Sequence, residues 1–409
     1  MKYLTMLLII IYVLVVRSEY CLAQDDTNIA MNDPDKLAWI LFLKVTADAK
    51  SAGNNNALFE TWASDGDTFK ENPTWPTTPT PLQLKPRALR LPLQQVNTNG
   101  NFSTRVLPGR NISEETRRNK PDFDFIIQNN LYKRSGLVAA FKAGIQISFP
   151  VDSLEVKANW IEVSKLNNFN GFSGNKVDAA KLYHINTAGG TQYALLSLHI
   201  ISKLVPNWTW ATFEHKDNPG RCDVIGCKDN FGALNSVVKP LSVVESKQHY
   251  ADCVKSSALL GLIARSNIDP AFKNYCLKGS QSDFTDQTGL AVRVGNSVTE
   301  DGFVKQSSCM TCHGRAAFDI TGQMTSFAGF DPISINLPLR NNAANAPVGP
   351  IKSSWYWNAD GPPSLPMLEG GRDNQRIALP ADFVWSIPFC AIDDTVNPPE
   401  KKSRFCSGK

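Results

Sequence analysis

Cys309, Cys312 and His313 stand in the order Cys-Met-Thr-Cys-His, the spacing at which proteins attach c-type haem. Two thiols held on one tight turn can each form a thioether with a vinyl group of the porphyrin. The imidazole that follows directly can ligate the iron from the proximal side. The motif therefore predicts one covalently bound haem c, with the two cysteines as attachment points and His313 as a metal ligand.

Two other kinds of site use the same residue types, and the sequence leaves both open. A structural zinc ion takes four ligands, so at least one further cysteine or histidine would have to come from elsewhere in the chain. A redox-active or structural disulfide is the other alternative. A redox-active Cys-x-x-Cys pair is expected at the start of a helix in a β-α-β unit.

The group opposite His313 decides what such a haem can do. A second strong ligand gives iron that exchanges electrons without binding a substrate, whereas an open position admits peroxide, oxygen or nitric oxide. Met367 lies in a Pro- and Gly-rich stretch, at a distance along the chain from the motif that small cytochromes c use, and we expect it to be the second metal ligand. Met324 is an alternative that would need a tighter loop.

His199 and His215 lie in stretches that are typical of β-strands, where a histidine more often has a structural role than a metal to bind. Glu214 and His215 stand close to Trp208 and Trp210 in the sequence. This combination of charge and aromatic rings indicates either a binding pocket or a structural ion pair. Aromatic residues nearer the C-terminus are expected to pack around the haem: Trp355, Tyr356, Trp357 and Trp385.

The remaining cysteines indicate an oxidising compartment. Without Cys21 and the two motif thiols, an even number of cysteines remains, and neighbours along the chain can close short loops. The alternatives are other pairings or buried free thiols. We expect disulfide bonds between the following pairs: Cys222 and Cys227, Cys253 and Cys276, and Cys390 and Cys406.

The N-terminal segment is typical of an export signal. Lys2 precedes an apolar run from Leu7 to Val16, and the small residues Cys21 and Ala23 suit a signal peptidase. The run is too short to span a hydrocarbon core comfortably, and no later segment is apolar enough to do so. Residues 1–23 are therefore predicted to be the signal peptide of a periplasmic or secreted bacterial protein that has no integral membrane span after cleavage.

Composition describes a globular chain. Of the 409 residues, 42% are hydrophobic, which suffices for a core, and the formal net charge of +4 gives no strong attraction to nucleic acid or anionic lipid. The length favours more than one structural region. We expect an N-terminal helix and Pro-rich extended strap over residues 24–143, an antiparallel β region over 144–220 and a haem-binding region over 221–409.

Local patterns predict an α+β fold. Asp33 and Pro34 indicate the start of a helix that continues to about Ala49, and a second helix is expected over residues 251–266. The stretch from Asn336 to Arg372 is rich in Asn, Pro and Gly and is expected to be a loop.

Alternating apolar and polar residues predict the strands. Residues 145–149 and 154–160 are expected to form a hairpin, with a third strand around 196–200 and a fourth over 208–215. Together they predict a mainly antiparallel β-sheet or sandwich with one polar face. A loop-rich C-terminal region that holds the single haem is expected to follow.

Five segments resemble blocks of a large group of exported bacterial proteins that are described as cytochrome c family proteins. The resemblance spans residues 145 to 389 and implies haem attachment at Cys309 and Cys312, with His313 as a ligand. It implies no established reaction. The segments are Glu155-Val-Lys-Ala-Asn-Trp160, Leu198-His-Ile-Ile-Ser-Lys203, Trp208-Thr-Trp-Ala-Thr-Phe-Glu-His215, Ser307-Ser-Cys-Met-Thr-Cys-His313 and Asp382-Phe-Val-Trp-Ser-Ile-Pro-Phe389.

Two classes of function agree with these residues. The first is electron transfer to a redox partner protein by a haem whose iron is closed by methionine. The second is a haem enzyme of the peroxidase or oxidase type, or a haem-based sensor, in which the iron is open and the β region binds the substrate. Such an enzyme needs an acid-base pair near the iron, and no local motif supplies one, so we favour electron transfer.

Overall fold

The computed structural model describes residues 26–49, 56–77, 82, 84–86, 93–96, 102–105, 112–241, 247–301, 304–324, 348–357, 376–403 and 406. The predicted signal peptide, Met367 and most of the predicted loop from Asn336 to Arg372 lie outside these residues. Within them, no helix is long and apolar enough to cross a membrane.

The central element is an eight-stranded sheet. Its strands are β1 Ala63–Ser64, β2 Lys85–Pro86, β5 Ile112–Arg118, β6 Leu154–Glu162, β7 Ile185–Ala188, β8 Thr191–Ser202, β9 Thr209–His215 and β12 Tyr275–Gln281. Their order is β1-β5-β6-β8-β9-β12, with β2 also paired to β5 and β7 to β8, and all of these pairings are antiparallel. The short two-stranded pairs are β3 Leu93–Val96 with β4 Phe102–Arg105, β10 Cys227–Lys228 with β11 Val237–Val238, and β13 Ala317–Phe318 with β14 Leu379–Pro380.

The helices are short and lie around the sheet. They include α1 Pro34–Val45, α2 Asp65–Thr68, α3 Lys120–Gln128, α4 Arg134–Ala143, α5 Leu166–Asn170, α6 Lys176–Leu182, α7 Ser257–Arg265, α8 Cys309–Gly314 and α9 Ser386–Cys390. Single 3-10 turns cover Leu58–Thr61, Val163–Lys165, Pro270–Asn274, Val304–Gln306 and Ser353–Trp355.

One face of the sheet is apolar and packs against α1. That helix begins as the sequence predicts, because the Asp33 carboxylate accepts a hydrogen bond from the Lys36 backbone N–H at 3.2 Å and Pro34 occupies the first turn. Phe42 lies over Phe213 of β9 with 4.4 Å between ring centroids, and both side chains are fully buried. This face, together with α1, forms the largest hydrophobic core of the described residues.

The opposite face is polar and is also buried. Alternation along β6, β8 and β9 places Glu155, Lys157 and Asn159 beside the side chains of their strand partners, with Lys157 opposite His199 and His199 opposite Thr212. Residues 294–300 cover this face and supply hydrogen-bond partners for its side chains, as buried polar groups require. The same covering segment leads directly into α8 and the Cys-x-x-Cys-His motif.

The antiparallel sheet with one polar face and the α+β class are confirmed, but the hairpin is wrong. Residues 145–150 form no strand, and β6 pairs with β5 and β8 instead. The strand patterns around 196–200 and 208–215 and the helices that start near Asp33 and within 251–266 are confirmed. The sheet also takes β1, β2, β5 and β12 from outside residues 144–220, and the sequence patterns do not predict these four strands.

Three disulfide bonds join the cysteines that the sequence pairs. The Cα–Cα distances are 5.0 Å for Cys222–Cys227, 5.9 Å for Cys253–Cys276 and 5.4 Å for Cys390–Cys406. The third bond lies in a second hydrophobic core, which joins α3 and α4 to α9 and to the residues around α8. This pattern is compatible with folding in an oxidising compartment.

Candidate cofactor site

The motif forms the short helix α8, and neighbouring segments hold its N-terminal end. The backbone N–H of Met310 donates to Oε1 of Gln281 at 3.2 Å, and Nε2 of Gln281 donates to Oγ of Ser308 at 3.1 Å. The Thr311 hydroxyl donates to the carbonyl oxygen of Gly349 at 2.6 Å. Gln281 is the last residue of β12, so the end of a sheet strand positions the first turn of the motif.

Both motif thiols are unpaired, whereas the six other described cysteines form disulfides. Cys309 and Cys312 are half-buried, and the Cys309 thiol donates to the carbonyl oxygen of Val294 at 3.4 Å. Burial raises the pKa of both thiols above the ordinary value, so they are protonated in this arrangement. The site therefore offers two free thiols on one helical turn.

The imidazole of His313 is oriented by a backbone carbonyl. Nδ1 lies 2.8 Å from the carbonyl oxygen of Phe383, and because a carbonyl can only accept, Nδ1 carries the proton. Burial lowers the pKa of His313 to about 4, so the ring is neutral near neutral pH and Nε2 keeps its lone pair. Trp210 of β9 packs against the ring at 4.6 Å between centroids.

The Phe383 carbonyl is itself held by a strained turn. Asp382 and Phe383 have φ angles of 47° and 69°, in the left-handed region that residues other than glycine rarely adopt. The Asp382 carboxylate accepts from the Phe149 backbone N–H at 2.8 Å and from Nζ of Lys203 at 2.6 Å. An ion pair to the end of β8 thus supports the carbonyl that orients His313.

Aromatic side chains close the other end of α8. Nε1 of Trp385 donates to the Cys312 carbonyl at 3.2 Å, and the Tyr356 hydroxyl donates to the Gly314 carbonyl. The Arg315 guanidinium stacks on Trp355 at 4.1 Å from the ring centroid. These aromatic residues therefore hold the backbone of the motif turn, whose last carbonyls would otherwise lack helical partners.

A group of polar side chains from distant segments lies between the motif and the sheet. Nε2 of His199 is 3.0 Å from Nδ2 of Asn296 and 3.5 Å from Oε1 of Glu300. Burial alone would raise the pKa of Glu300, but the positive charge that His199 carries when it is protonated and the Asn296 backbone N–H stabilise the carboxylate and bring the pKa below its ordinary value. The local sequence around Asn296 and Glu300 carries no signal that could have identified them.

The two strand histidines that the sequence offers as candidates lie in different parts of the molecule. His199 lies near the motif, but His215 points to another part of the molecule, where it stacks on Tyr183 at 3.7 Å and donates from Nε2 to the Leu182 carbonyl at 3.0 Å. Glu214 projects from the opposite face of β9 and accepts two hydrogen bonds from Ser297. Glu214 and His215 therefore form neither a shared pocket nor an ion pair.

Of the two candidate methionine ligands, Met367 lies outside the described residues. Met324 is half-buried and forms a backbone β-bridge with Phe318.

A zinc site at the motif finds little support in the part of the chain that the structure describes. The one cluster of three or more potential ligand atoms within 4.8 Å there consists of Asp65, Cys390 and Cys406, and both of those cysteines belong to a disulfide bond. Among the described residues, no cysteine, histidine or carboxylate forms such a cluster with both motif thiols. The described residues fit a porphyrin better, because it needs only the two thiols and one imidazole nitrogen.

The five segments that carry the resemblance converge on this site. The first contributes polar residues of β6, and the second contributes His199 of β8 and Lys203 directly after that strand. The third contributes Trp210 of β9, the fourth the motif itself and the fifth the Asp382–Phe383 turn. Comparison of the chain with protein-family models, curated proteins and solved structures found no match.

Proposed function

We propose that this chain is an exported monohaem c-type cytochrome-like protein that acts in electron transfer through haem attached at Cys309 and Cys312. The hydrogen bond from Nδ1 of His313 to the Phe383 carbonyl carries the proposal, since it leaves Nε2 free beside two unpaired thiols. In metal proteins the second ring nitrogen of a ligating histidine almost always donates to such an acceptor.

The residues of this chain would bind and orient the group. When bound, haem c supplies a reversible one-electron couple at its iron. Cys309 and Cys312 would form the thioethers and Nε2 of His313 would be the proximal ligand, while Trp210 and Phe383 limit the access of water to the imidazole. Met367 remains our proposed second metal ligand.

Export and a redox partner protein belong to the same proposal. Three disulfide bonds are compatible with the periplasm or the extracellular space. A signal peptide over residues 1–23 would deliver the chain across the inner membrane, on whose outer side c-type haem is attached. The small net charge of +4 gives no reason to expect nucleic acid as a partner.

A haem enzyme of the peroxidase or oxidase type is the second candidate, because one observation favours it. Enzymes of this kind need an acid-base pair close to the cofactor, and His199 with Glu300 is such a pair near the motif. The optical spectrum separates the two candidates. Ligation by Met367 gives low-spin ferric iron that resists cyanide, whereas an open site gives high-spin iron that binds it.

Covalent attachment tests the proposal. After acid-acetone extraction and denaturing electrophoresis, protein matured in a competent host should retain its haem stain, and its mass should exceed that of the mature polypeptide by one haem. Replacing Cys309 and Cys312 by Ala should abolish the stain. The control replaces Cys222 and Cys227 by Ala, which removes another closely spaced pair and should leave the stain in place.

Two results would oppose the proposal. Wild-type protein without stain would refute covalent haem, and a stain that survives the loss of both motif thiols would refute this site. If the stain is present, Met367→Ala should convert the low-spin spectrum at least partly to high spin. An unchanged spectrum would show that Met367 is not a ligand.

A further inference from the structure

The His199–Glu300 pair has a defined geometry. The carboxylate of Glu300 accepts from the Asn296 backbone N–H at 2.6 Å through Oε2, which leaves Oε1 facing Nε2 of His199 at 3.5 Å. Both side chains are nearly buried, with exposed fractions of 11% for His199 and 13% for Glu300. Because little water surrounds this carboxylate and imidazole, their interaction with any nearby charge is only weakly screened.

Asn296 determines which nitrogen of His199 carries the proton. Its Oδ1 accepts from the backbone N–H groups of Val298 and Thr299 at 2.9 and 2.6 Å, so Nδ2 must be the atom that faces His199 and Thr212. An amide N–H can only donate, and Nε2 of the neutral ring is therefore an acceptor. In this arrangement Nε2 has a lone pair that can take up a proton.

One backbone segment and one packing contact connect the His199–Glu300 pair to the motif. The Cys309 thiol contacts the Val294 carbonyl at 3.4 Å, and Asn296, which contacts His199, is only two residues further along that segment. From the sheet side, Trp210 packs on His313 and shares the polar face with Thr212, the strand partner of His199. His199 and Glu300 accordingly belong to the wall between the sheet and the motif.

The other charged groups that face this wall already have partners of opposite charge. Lys157 of β6 lies 3.1 Å from Oε2 of Glu114 on β5, and Lys247 is paired with Asp301. Lys278 of β12 lies 3.7 Å from Oε1 of Glu214 on β9, and its Nζ has no hydrogen-bond partner among the described residues. With His199 neutral, the His199–Glu300 pair therefore carries one negative charge.

We propose that the His199–Glu300 pair is a proton-binding site, which takes up one proton when haem attached at the neighbouring turn receives an electron. The inference rests on the proposed electron-transfer function and extends it to proton-coupled transfer. A one-electron donor, in the cell a reduced partner protein, is oxidised and the iron is reduced. A proton from solvent binds Nε2 of His199, which then releases the Asn296 N–H and donates to Oε1 of Glu300.

The physical reason is electrostatic. An added electron makes the surroundings more negative by one charge, and in a site with little water this raises the proton affinity of the nearest unprotonated group. Among the described groups, the lone pair of His199 next to the ionised Glu300 is best placed, since the proton would also form an ion pair. The net charge of the site then stays constant during the reaction.

The test is the pH dependence of the reduction potential of the haem-loaded protein, measured by spectroelectrochemical titration from about pH 5 to about pH 9. Uptake of one proton per electron should lower the potential by about 59 mV per pH unit over part of this range. Glu300→Gln and His199→Gln should each flatten the curve. Lys278→Gln, which removes another buried titratable group of the wall, should keep the slope.

The outcomes separate this inference from the proposed function. Absence of covalent haem would refute the function itself. A stained, correctly folded wild-type protein with a potential independent of pH would refute only the proton site. A slope that survives both Glu300→Gln and His199→Gln, or that disappears in Lys278→Gln alone, would assign the proton to another group and also overturn the proposal.

Discussion

The two faces of the central sheet are built from the same strands, yet they are covered in different ways. α1 covers one face with apolar side chains such as Phe42, which contact their neighbours without directional bonds. Residues 294–300 cover the other face and match its polar side chains with one hydrogen-bond partner after another. The first arrangement needs only volume and burial, whereas the second needs particular atoms at particular places.

This difference separates stability from positioning. Apolar burial contributes most of the free energy of folding and tolerates modest changes of shape. A buried polar network adds little net stability, but it holds each group in one orientation because a lost partner is costly. The motif, His313 and the His199–Glu300 pair all lie on the polar side. We therefore expect substitutions on the apolar face to change stability most, and those on the polar face to change the properties of the cofactor.

The largest effect should come from Phe42→Ala on the apolar face. The ring is fully buried and packs against Phe213 at 4.4 Å, Trp39 at 5.3 Å and Phe272 at 5.8 Å, so truncation leaves a cavity. We expect the free energy of unfolding to fall by about 4 kcal/mol, as measured by chemical denaturation. The spectrum of the folded, haem-loaded protein should stay the same.

Leu260→Ala is the matched control for this variant. Leu260 lies on α7 and is 52% exposed, so its truncation should lower the free energy of unfolding by less than about 1 kcal/mol. An equal loss of stability in both variants, or an altered spectrum in Phe42→Ala, would contradict the expectation that the apolar face determines stability and the polar face the properties of the cofactor.

The two faces also differ in how much of their structure the sequence predicts. Period-two alternation in β6, β8 and β9 predicts which residues share a face, and the motif predicts which residues bind the cofactor. Alternation does not identify the partner of a strand, and for this reason the sequence predicts a hairpin for residues 145–149 although β5 occupies that place. Long-range pairing depends on packing that no local pattern records.

The polar surroundings of the motif could not be predicted for a related reason. Asn296 and Glu300 come from one loop and the Phe383 carbonyl from another, and each becomes part of the site only because a distant segment supports it. Asp382 and Phe383 adopt positive φ angles without a glycine to mark the turn. Side-chain chemistry near the motif is therefore a property of the fold, while the motif thiols and imidazole are visible in the sequence.

A second prediction concerns a buried charge at the border of the apolar core. His184 packs on Phe272 at 4.5 Å, with Nε2 2.9 Å from Oε2 of Glu60 and Nδ1 3.0 Å from Oδ2 of Asp269. Burial alone would lower the pKa of His184, but the two carboxylates raise it to about 9. A raised pKa means stability that is complete below about pH 6.5 and lost as the pH rises through about 9.

The size of this loss should be about 3 kcal/mol, measured as the difference between wild type and His184→Gln in denaturation at about pH 6 and about pH 10. The difference is needed because burial lowers the pKa of Lys255 to about 8, and deprotonation of Lys255 favours the folded state over the same range. His249→Gln, at an exposed position, should follow the wild-type curve. A His184→Gln curve parallel to that of the wild type would show that the apolar side holds no buried ionised histidine.

A smaller change in stability than for Phe42→Ala or His184→Gln, and the change most informative for the polar face, is expected for Lys203→Met. Methionine keeps most of the stem but removes the ammonium group that lies 2.6 Å from Asp382, at the turn whose carbonyl orients His313. Stability should fall by about 2 kcal/mol, because Asp382 remains nearly buried with the Phe149 N–H as its other partner. A looser Phe383 carbonyl should weaken its bond to Nδ1, make the imidazole a poorer donor to iron and raise the reduction potential.

Lys203→Arg should restore both properties in large part, and Lys142→Met, on the exposed side of α4, should change neither. A loss of stability without any shift in the reduction potential would mean that the Asp382 turn only supports the fold. That result would contradict the proposal that the polar face positions the cofactor.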